Sequence, residues 1–263
     1  MNQEKKNQMT RKTINQLLTL IIALIIFNDS DGQNDPVNIK VDSPQNVVEK
    51  VNAEKFKQLI ESGEGVLLDV RTPEEVNQGI IKGASTINFY DDDFETKLNL
   101  VQKDKPVYVY CKSGGRSGEA AAMMKKNGFK KVYNLEGGLN AWAGKGYPVS
   151  KMEGVKDENI KQFTLEEFNK VLKTDQPVLV DFHTLWCSPC RKMAPVVDKI
   201  AGDFKGKATV LRIDVDHSKE VAKQYQVQSV PVFILFKKGV QKWKKTGVIS
   251  EAELSKIISE NMK

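Results

Sequence analysis

Apolar residues in this chain fall into short blocks separated by amphipathic or polar stretches. Val66-Leu67-Leu68-Asp69-Val70, Val107 to Tyr110 and Lys131 to Leu135 are compact runs rich in β-branched and aromatic residues, and they predict buried strands; Ala84 to Phe89 is a further strand candidate. Helix signals lie between them. Asn52 precedes Phe56, Leu59 and Ile60 at helical spacing, and Gly63 and Gly65 break that helix. Thr72-Pro73-Glu74-Glu75 is a capping box with proline at the first helical position. Ser117 to Asn127 is an alanine- and methionine-rich helix stopped by Gly128, and Leu139 to Lys145 predicts another before Gly146 and Pro148.

The alternation resumes downstream. A second capping box, Thr164-Leu165-Glu166-Glu167, opens a helix, followed by a strand over Val178 to Phe182 and a helix over Pro189 to Phe204. A strand at Thr209 to Val215 and a short helix at Lys219 to Tyr225 come next. Val232 to Phe236 and Val240 to Lys245 predict a hairpin around Gly239, and Ser250 caps a last helix with Glu253 three residues on. Strands alternating with helices at this spacing predict an α/β protein with parallel pairing. Polar, proline-punctuated or aperiodic stretches divide the chain: an N-terminal segment over 1–35, a linker over 36–47, a first domain over 48–149, a linker over 150–158 and a second domain over 159–263. The two halves show no internal repeat.

Composition narrows the function classes. A chain of 263 residues, 40% hydrophobic and 28% charged, suits soluble folded domains and excludes a disordered or polytopic membrane protein. The net charge of +6 comes from lysines scattered among acidic residues, without a basic stripe interleaved with aromatics, so nucleic acid is not an expected partner. The N-terminus adds a location. Lys5, Lys6, Arg11 and Lys12 precede the apolar run Leu17 to Phe27, which has the length of a signal-peptide core and is short of the ~20 residues of a membrane span. Export to the periplasm or another extracytoplasmic space is expected, with cleavage or an uncleaved membrane anchor both open. Exported chains often carry disulfide scaffolds, yet only three cysteines are present, which points to reactive rather than structural thiols.

Two of the three form Trp186-Cys187-Ser188-Pro189-Cys190, at the end of a predicted strand and the start of a predicted helix. A zinc site would need two more Cys or His ligands, and His183 and His217 are the only histidines, so a redox dithiol is favoured over a metal site. At a helix N-terminus Cys187 is stabilised as thiolate, and Cys190, one turn in, is placed to attack a mixed disulfide formed at Cys187. With Val180-Asp181-Phe182 upstream and Val230-Pro231 downstream, this stretch resembles thioredoxin from residue 159 to the end. The resemblance implies a thioredoxin fold with a mixed central sheet, a redox disulfide Cys187–Cys190, a buried Asp181 assisting proton transfer at Cys190, and a cis Pro231 against the dithiol. Trp186, Ser188, Pro189 and Val230 flank the pair. Ser188 stands where thioredoxins usually have glycine, and His183 where an aromatic is common; His183 reads as a packed strand-end residue.

The third cysteine opens Cys111-Lys112-Ser113-Gly114-Gly115-Arg116 between a strand and a helix. A lone cysteine is commonly inert packing. Here two glycines let backbone N–H groups turn inward as an anion nest, and Lys112 and Arg116 add positive charge, a setting suited to a thiolate, a persulfide or an oxyanion. Together with Leu68-Asp69-Val70-Arg71-Thr72-Pro73-Glu74-Glu75, Gly83-Ala84, and Glu136-Gly137-Gly138 with Trp142, the stretch resembles rhodanese sulfurtransferases over roughly 48–149. The resemblance implies a parallel-sheet α/β domain and a persulfide on Cys111 cradled by Lys112, Ser113, Gly114, Gly115 and Arg116, with Asp69 and Arg71 as structural support. Ile80 occupies a position where the family often has histidine. Related phosphatases place arginine six positions after the cysteine; here Arg116 is five on, a tighter loop suited to a sulfur atom.

The expected function is an exported sulfurtransferase and thiol–disulfide oxidoreductase. Cys111 takes sulfane sulfur, for example from thiosulfate, and the Cys187/Cys190 dithiol reduces or relays it. Neither a cofactor nor a metal is expected; the partners are a small sulfane-sulfur donor, thiol or disulfide proteins, and a membrane thiol-reducing system. The alternative is a general periplasmic disulfide reductase that uses the first domain for docking or sensing.

Overall fold

The computed structural model of the chain describes residues 47–152 and 161–262. The expected signal or anchor over 1–35, the linker over 36–47 except its last residue, and residues 153–160 at the end of the second linker and the start of the second domain lie outside the described residues.

The first unit is built on a five-stranded, all-parallel sheet of order β1-β5-β4-β2-β3, formed by β1 (Val47–Val51), β2 (Val66–Asp69), β3 (Ser85–Thr86), β4 (Val107–Tyr110) and β5 (Lys131–Leu135). Its helices are α1 (Ala53–Glu61), α2 (Pro73–Asn77), α3 (Phe94–Leu98), α4 (Gly115–Lys126) and α5 (Gly138–Gly144). The caps form as the sequence predicts. Asn52 accepts the Lys55 N–H, and both arms of the Thr72/Glu75 capping box are made. All four residues of β4 are buried, as expected of an interior strand of a sheet covered on both faces. Phe56 lies fully buried on one face, edge-on to Tyr108, Tyr110 and Trp142. On the other face Phe94, Leu98, Val109, Met124 and Phe129 enclose Cys111.

The structure differs from the sequence reading in four places. Strand β1 begins at Val47, inside the expected linker and domain edge; its first four residues are exposed, so this sheet-edge strand leaves no apolar signature. Helix α3 escaped notice because a single turn, with only Phe94 and Leu98 buried, is too short to show a 3.6-residue period. The strand expected over 84–89 shrinks to Ser85–Thr86. Residues 150–152, expected in the second linker, are tied to the first unit: Ser150 pairs with Ile80 in an antiparallel bridge, and Met152 packs on the core.

The second unit has a mixed four-stranded sheet of order β7-β6-β8-β9, made of β6 (Val178–His183), β7 (Thr209–Asp214), β8 (Val232–Lys237) and β9 (Val240–Thr246). Strand β6 runs parallel to β7 and antiparallel to β8, and the hairpin to β9 carries a bulge at Leu235/Phe236. Helices α6 (Leu165–Leu172), α7 (Ser188–Asp203), α8 (Lys219–Gln224) and α9 (Glu251–Glu260) complete it. Every residue of β6 is buried, including Asp181 and His183. No helix among the described residues is long and apolar enough to cross a membrane.

Replacing Phe56 with alanine is expected to cost about 3–5 kcal/mol, since the ring is wholly enclosed among aromatic partners with little room to relax. Urea unfolding followed by tryptophan fluorescence and circular dichroism checks this, and a loss below about 1 kcal/mol would show that the aromatic cluster repacks freely.

Candidate functional site

Cys111 follows β4 directly and is almost wholly buried as a free thiol. The loop after it turns through Gly114, whose φ of +97° an L side chain rarely adopts. The carbonyls of Cys111 and Lys112 point outward, taken by the Leu139 and Asn140 N–H groups at the start of α5 at 2.8 and 3.0 Å. That leaves the loop N–H groups facing the sulfur. The Gly114 N–H donates to Cys111 Sγ at 3.1 Å, and Ser117 Oγ lies 3.4 Å from it. Gly138 makes this closeness possible: a Cβ there would stand 2.4 Å from the Cys111 carbonyl oxygen.

Burial pushes the Cys111 thiol up, but the Ser117 hydroxyl and the N–H groups of Ser117, Ser113 and Gly114 outweigh it, leaving the thiol below the usual cysteine value. The single Ser117 hydroxyl proton is shared between Cys111 Sγ and Asn134 Oδ1, the latter at 2.6 Å, and Asn134 Nδ2 donates to the Gly114 carbonyl at 3.3 Å, so this buried pair braces the loop from beneath. Asn134 is a buried polar residue flanked in β5 by Tyr133 and Leu135, a pattern visible in the sequence as an amide inside a strand run.

Among the predicted cradle residues, Lys112, Ser113 and Gly115 are exposed and Gly114 is half-buried. Arg116 is turned to Glu75, with two bonds of 2.7 and 2.8 Å, and its guanidinium lies over the exposed Tyr90 ring. Arg116 in turn holds the Glu75 carboxyl down at about 2. Asp69 and Arg71 form a buried pair, and Arg71 also donates to the carbonyls of Glu75 and Gly79, which ties down the C-terminal end of α2.

The dithiol lies at the junction of β6 and α7. Cys187 and Cys190 form a disulfide, and Cys187 caps α7, its Sγ accepting the Cys190 N–H at 3.1 Å. Pro189 is in the first turn, and the Val230–Pro231 peptide is cis. Trp186 Nε1 donates to Asp216 at 2.9 Å. Asp181 is fully buried on β6 with Oδ1 unpartnered; burial lifts its carboxyl to about 7, against the pull of Arg212, whose Nε is 3.4 Å from Oδ2. It therefore titrates near neutrality, where a buried proton carrier is useful.

The two sites adjoin. Trp186 packs against both the core that holds Cys111 and the core that holds Cys187 and Cys190. The Thr86 N–H donates to the Trp186 carbonyl at 3.1 Å, the Ser188 N–H to Ser85 Oγ at 2.9 Å, and Arg191 Nη2 to the Ala84 carbonyl at 2.8 Å. Ser85, Thr86 and Arg191 carry no chemical signature of their own, so only the tertiary contacts reveal them.

Comparison with known proteins agrees with this geometry. The thioredoxin family profile matches residues 159–260. Thioredoxin of Rickettsia bellii is 39% identical over 104 residues, which are 97% of its length and 40% of this chain. The chain belongs to the thioredoxin family. Thioredoxin of Pseudomonas aeruginosa is 37% identical over 106 residues, 98% of its length and 40% of this chain; thioredoxin 1 of Nostoc is 38% identical over 114 residues, 100% of its length and 43% of this chain. To this thioredoxin domain the chain adds a second one, since the rhodanese-like domain profile matches residues 52–145. The pairing supports a thiol-redox and sulfurtransferase role, with thiol or disulfide proteins as substrates of the thioredoxin domain.

Two outcomes follow for titration. In the oxidised chain Cys111 is the sole free thiol, so ultraviolet thiolate absorbance reads it alone. Ser117→Ala is expected to move its midpoint upward, and an unmoved midpoint would remove the hydroxyl from the cradle. The Asp181 value is raised on folding, so between 3.8 and about 7 the native chain binds more protons than the unfolded one and loses stability as pH rises. Asp181→Asn is accordingly expected to flatten this fall and to stabilise the oxidised chain at pH 8 by a few kcal/mol, measured by urea unfolding at pH 5 and 8.

Proposed function

We propose that the chain is an exported sulfur-handling enzyme in which Cys111 accepts sulfane sulfur and the Cys187/Cys190 dithiol removes it. The observation that carries this reading is the cradle of inward N–H groups around Cys111 Sγ, which stabilises a sulfur anion in a buried place. The Cys111 thiolate attacks the outer sulfur of a donor such as thiosulfate; the donor's S–S bond breaks and sulfite leaves with the electron pair. Cys111 then carries a persulfide, whose terminal anion replaces the thiolate among the N–H groups, with Lys112 and Ser113 exposed at the mouth to meet the anionic donor.

In the second stage the Cys187 thiolate takes the outer sulfur and frees Cys111. Cys190 attacks the Cys187 sulfur, closing the disulfide and expelling sulfide. Asp181, poised near neutrality, accepts the Cys190 proton. The sum is thiosulfate plus two thiols giving sulfite, hydrogen sulfide and one disulfide, so each turnover consumes two electrons. Regeneration then requires an external thiol reductant, and for an exported chain this is a membrane thiol-reducing system. Location in the periplasm or another extracytoplasmic space rests on the basic and then apolar N-terminus, Lys5 to Phe27.

A single turnover tests the relay. The pre-reduced protein is mixed with thiosulfate, sulfide release is followed, and the three cysteines are mapped by mass spectrometry. Sulfide is expected together with a Cys187–Cys190 disulfide, and Cys111→Ser is expected to abolish sulfide while sparing reduction of unrelated disulfides. A stable Cys111 persulfide beside an untouched dithiol would sink the relay and leave two independent activities on one chain.

A further inference from the structure

We propose that the rhodanese-like domain is a gate over the dithiol, its own segment 98–102 occupying the edge along which an extended polypeptide would reach the redox sulfurs. The inference requires only that Cys187–Cys190 exchanges disulfides, and not that sulfur passes from Cys111.

The contacts centre on Leu100. Its carbonyl accepts the Val230 N–H at 3.0 Å, and its side chain packs on the apolar cluster that contains Cys187, Cys190 and Val230. Val230 immediately precedes Pro231, which has no N–H, and its own N–H is a main-chain donor beside the disulfide of the kind an incoming strand would take. Here the chain itself has taken it. Two residues on, Gln102 is buried over Gly247, where an added Cβ would stand 3.2 Å from Gln102 Nε2.

The Ala84-Ser85-Thr86 edge grips the redox motif itself. Ser85 Oγ accepts from Ser188, which lies between the two cysteines in sequence, and Thr86 reaches the carbonyl of the preceding tryptophan. Arg191, directly after Cys190, crosses to Ala84. Cys187 is left 2% exposed and Cys190 1%. Two grooves of about 560 and 410 Å³ flank Leu100, and neither is lined by a cysteine, so neither leads to the sulfurs.

Thiol–disulfide exchange needs an attacking sulfur to approach the S–S bond, which this covering prevents. The interface is nevertheless of an openable kind. A handful of hydrogen bonds, most of them to backbone, and two principal apolar side chains, Leu100 and Trp186, hold together parts joined covalently elsewhere. Closed and open forms thus govern which partners the dithiol meets, and the thioredoxin domain acts on a protein disulfide only when the rhodanese-like domain lifts away.

The test uses the oxidised full chain. Reduction of its disulfide by dithiothreitol is timed in the parent and in Leu100→Glu, which puts a charge into the contact while leaving all three cysteines and the Cys111 loop unaltered in sequence. Hydrogen exchange at the Val230 amide is measured in both. The variant is expected to be reduced roughly tenfold faster or more, because the competent form is no longer a minor population. The Val230 amide is expected to be protected in the parent and released in the variant. A second variant, Ser85→Ala, removes only the acceptor for Ser188; it is expected to speed reduction about fivefold, the worth of one ordinary hydrogen bond, and it decides the matter if Leu100→Glu does not fold. Equal reduction rates in parent and folded variant, or unprotected exchange at Val230 in the oxidised parent, would overturn the gate.

Discussion

The chemistry of this chain depends on main-chain N–H groups that a helix or loop cannot satisfy internally and that are aimed at sulfur instead. At the end of β4 the Gly114 N–H meets Cys111; at the end of β6 the Cys190 N–H meets Cys187. Both are strand-to-helix junctions, where the first N–H groups of a helix lack internal partners and favour negative charge. A parallel or mixed α/β sheet supplies such junctions repeatedly at the carboxyl ends of its strands. The two domains differ in strand order and direction, yet each turns a main-chain N–H at this junction onto a cysteine sulfur.

The sites differ in how they handle the proton. At Cys111 desolvation opposes ionisation and local hydrogen bonds overcome it. At Asp181 desolvation prevails over a long contact to Arg212, and the carboxyl keeps its proton to near neutrality. One environment favours the anion and the other favours the protonated acid. The division matches a sulfur carrier in one domain and an exchanging dithiol in the other. Arg116 adds a third arrangement: its charge, which in isolation would serve an incoming anion, is shared with Glu75 and Tyr90.

Contact between the domains gives the fusion a physical meaning beyond proximity. Trp186 belongs by sequence to the dithiol motif and by packing to both cores, so the same residue that flanks the redox pair also anchors the neighbour. Ser188, a departure from the usual thioredoxin glycine, has its backbone N–H bonded to Ser85. The redox motif is thus embedded in an interface, and access to it is coupled to the relative freedom of the two domains.

The sequence by itself determined the elements that rest on local chemistry. The capping boxes at Thr72 and Thr164, the apolar strands at Val107–Tyr110 and Lys131–Leu135, and the strand–C-x-x-C–helix junction are legible because each follows from neighbours within a few residues. Strand β1 was not legible, since its first four residues are exposed and only pairing with β5 makes it a strand. Ser117 and Asn134 are 17 residues apart, and only the fold puts both beneath Cys111. Ser85 and Ser188 are 103 apart, and no local preference of either serine foretells their bond. Side-chain period and capping act over one turn or one pleat, whereas the burial of Cys111, the placing of Arg116 on Glu75 and the covering of the dithiol depend on which surfaces meet, and that only the tertiary structure decides.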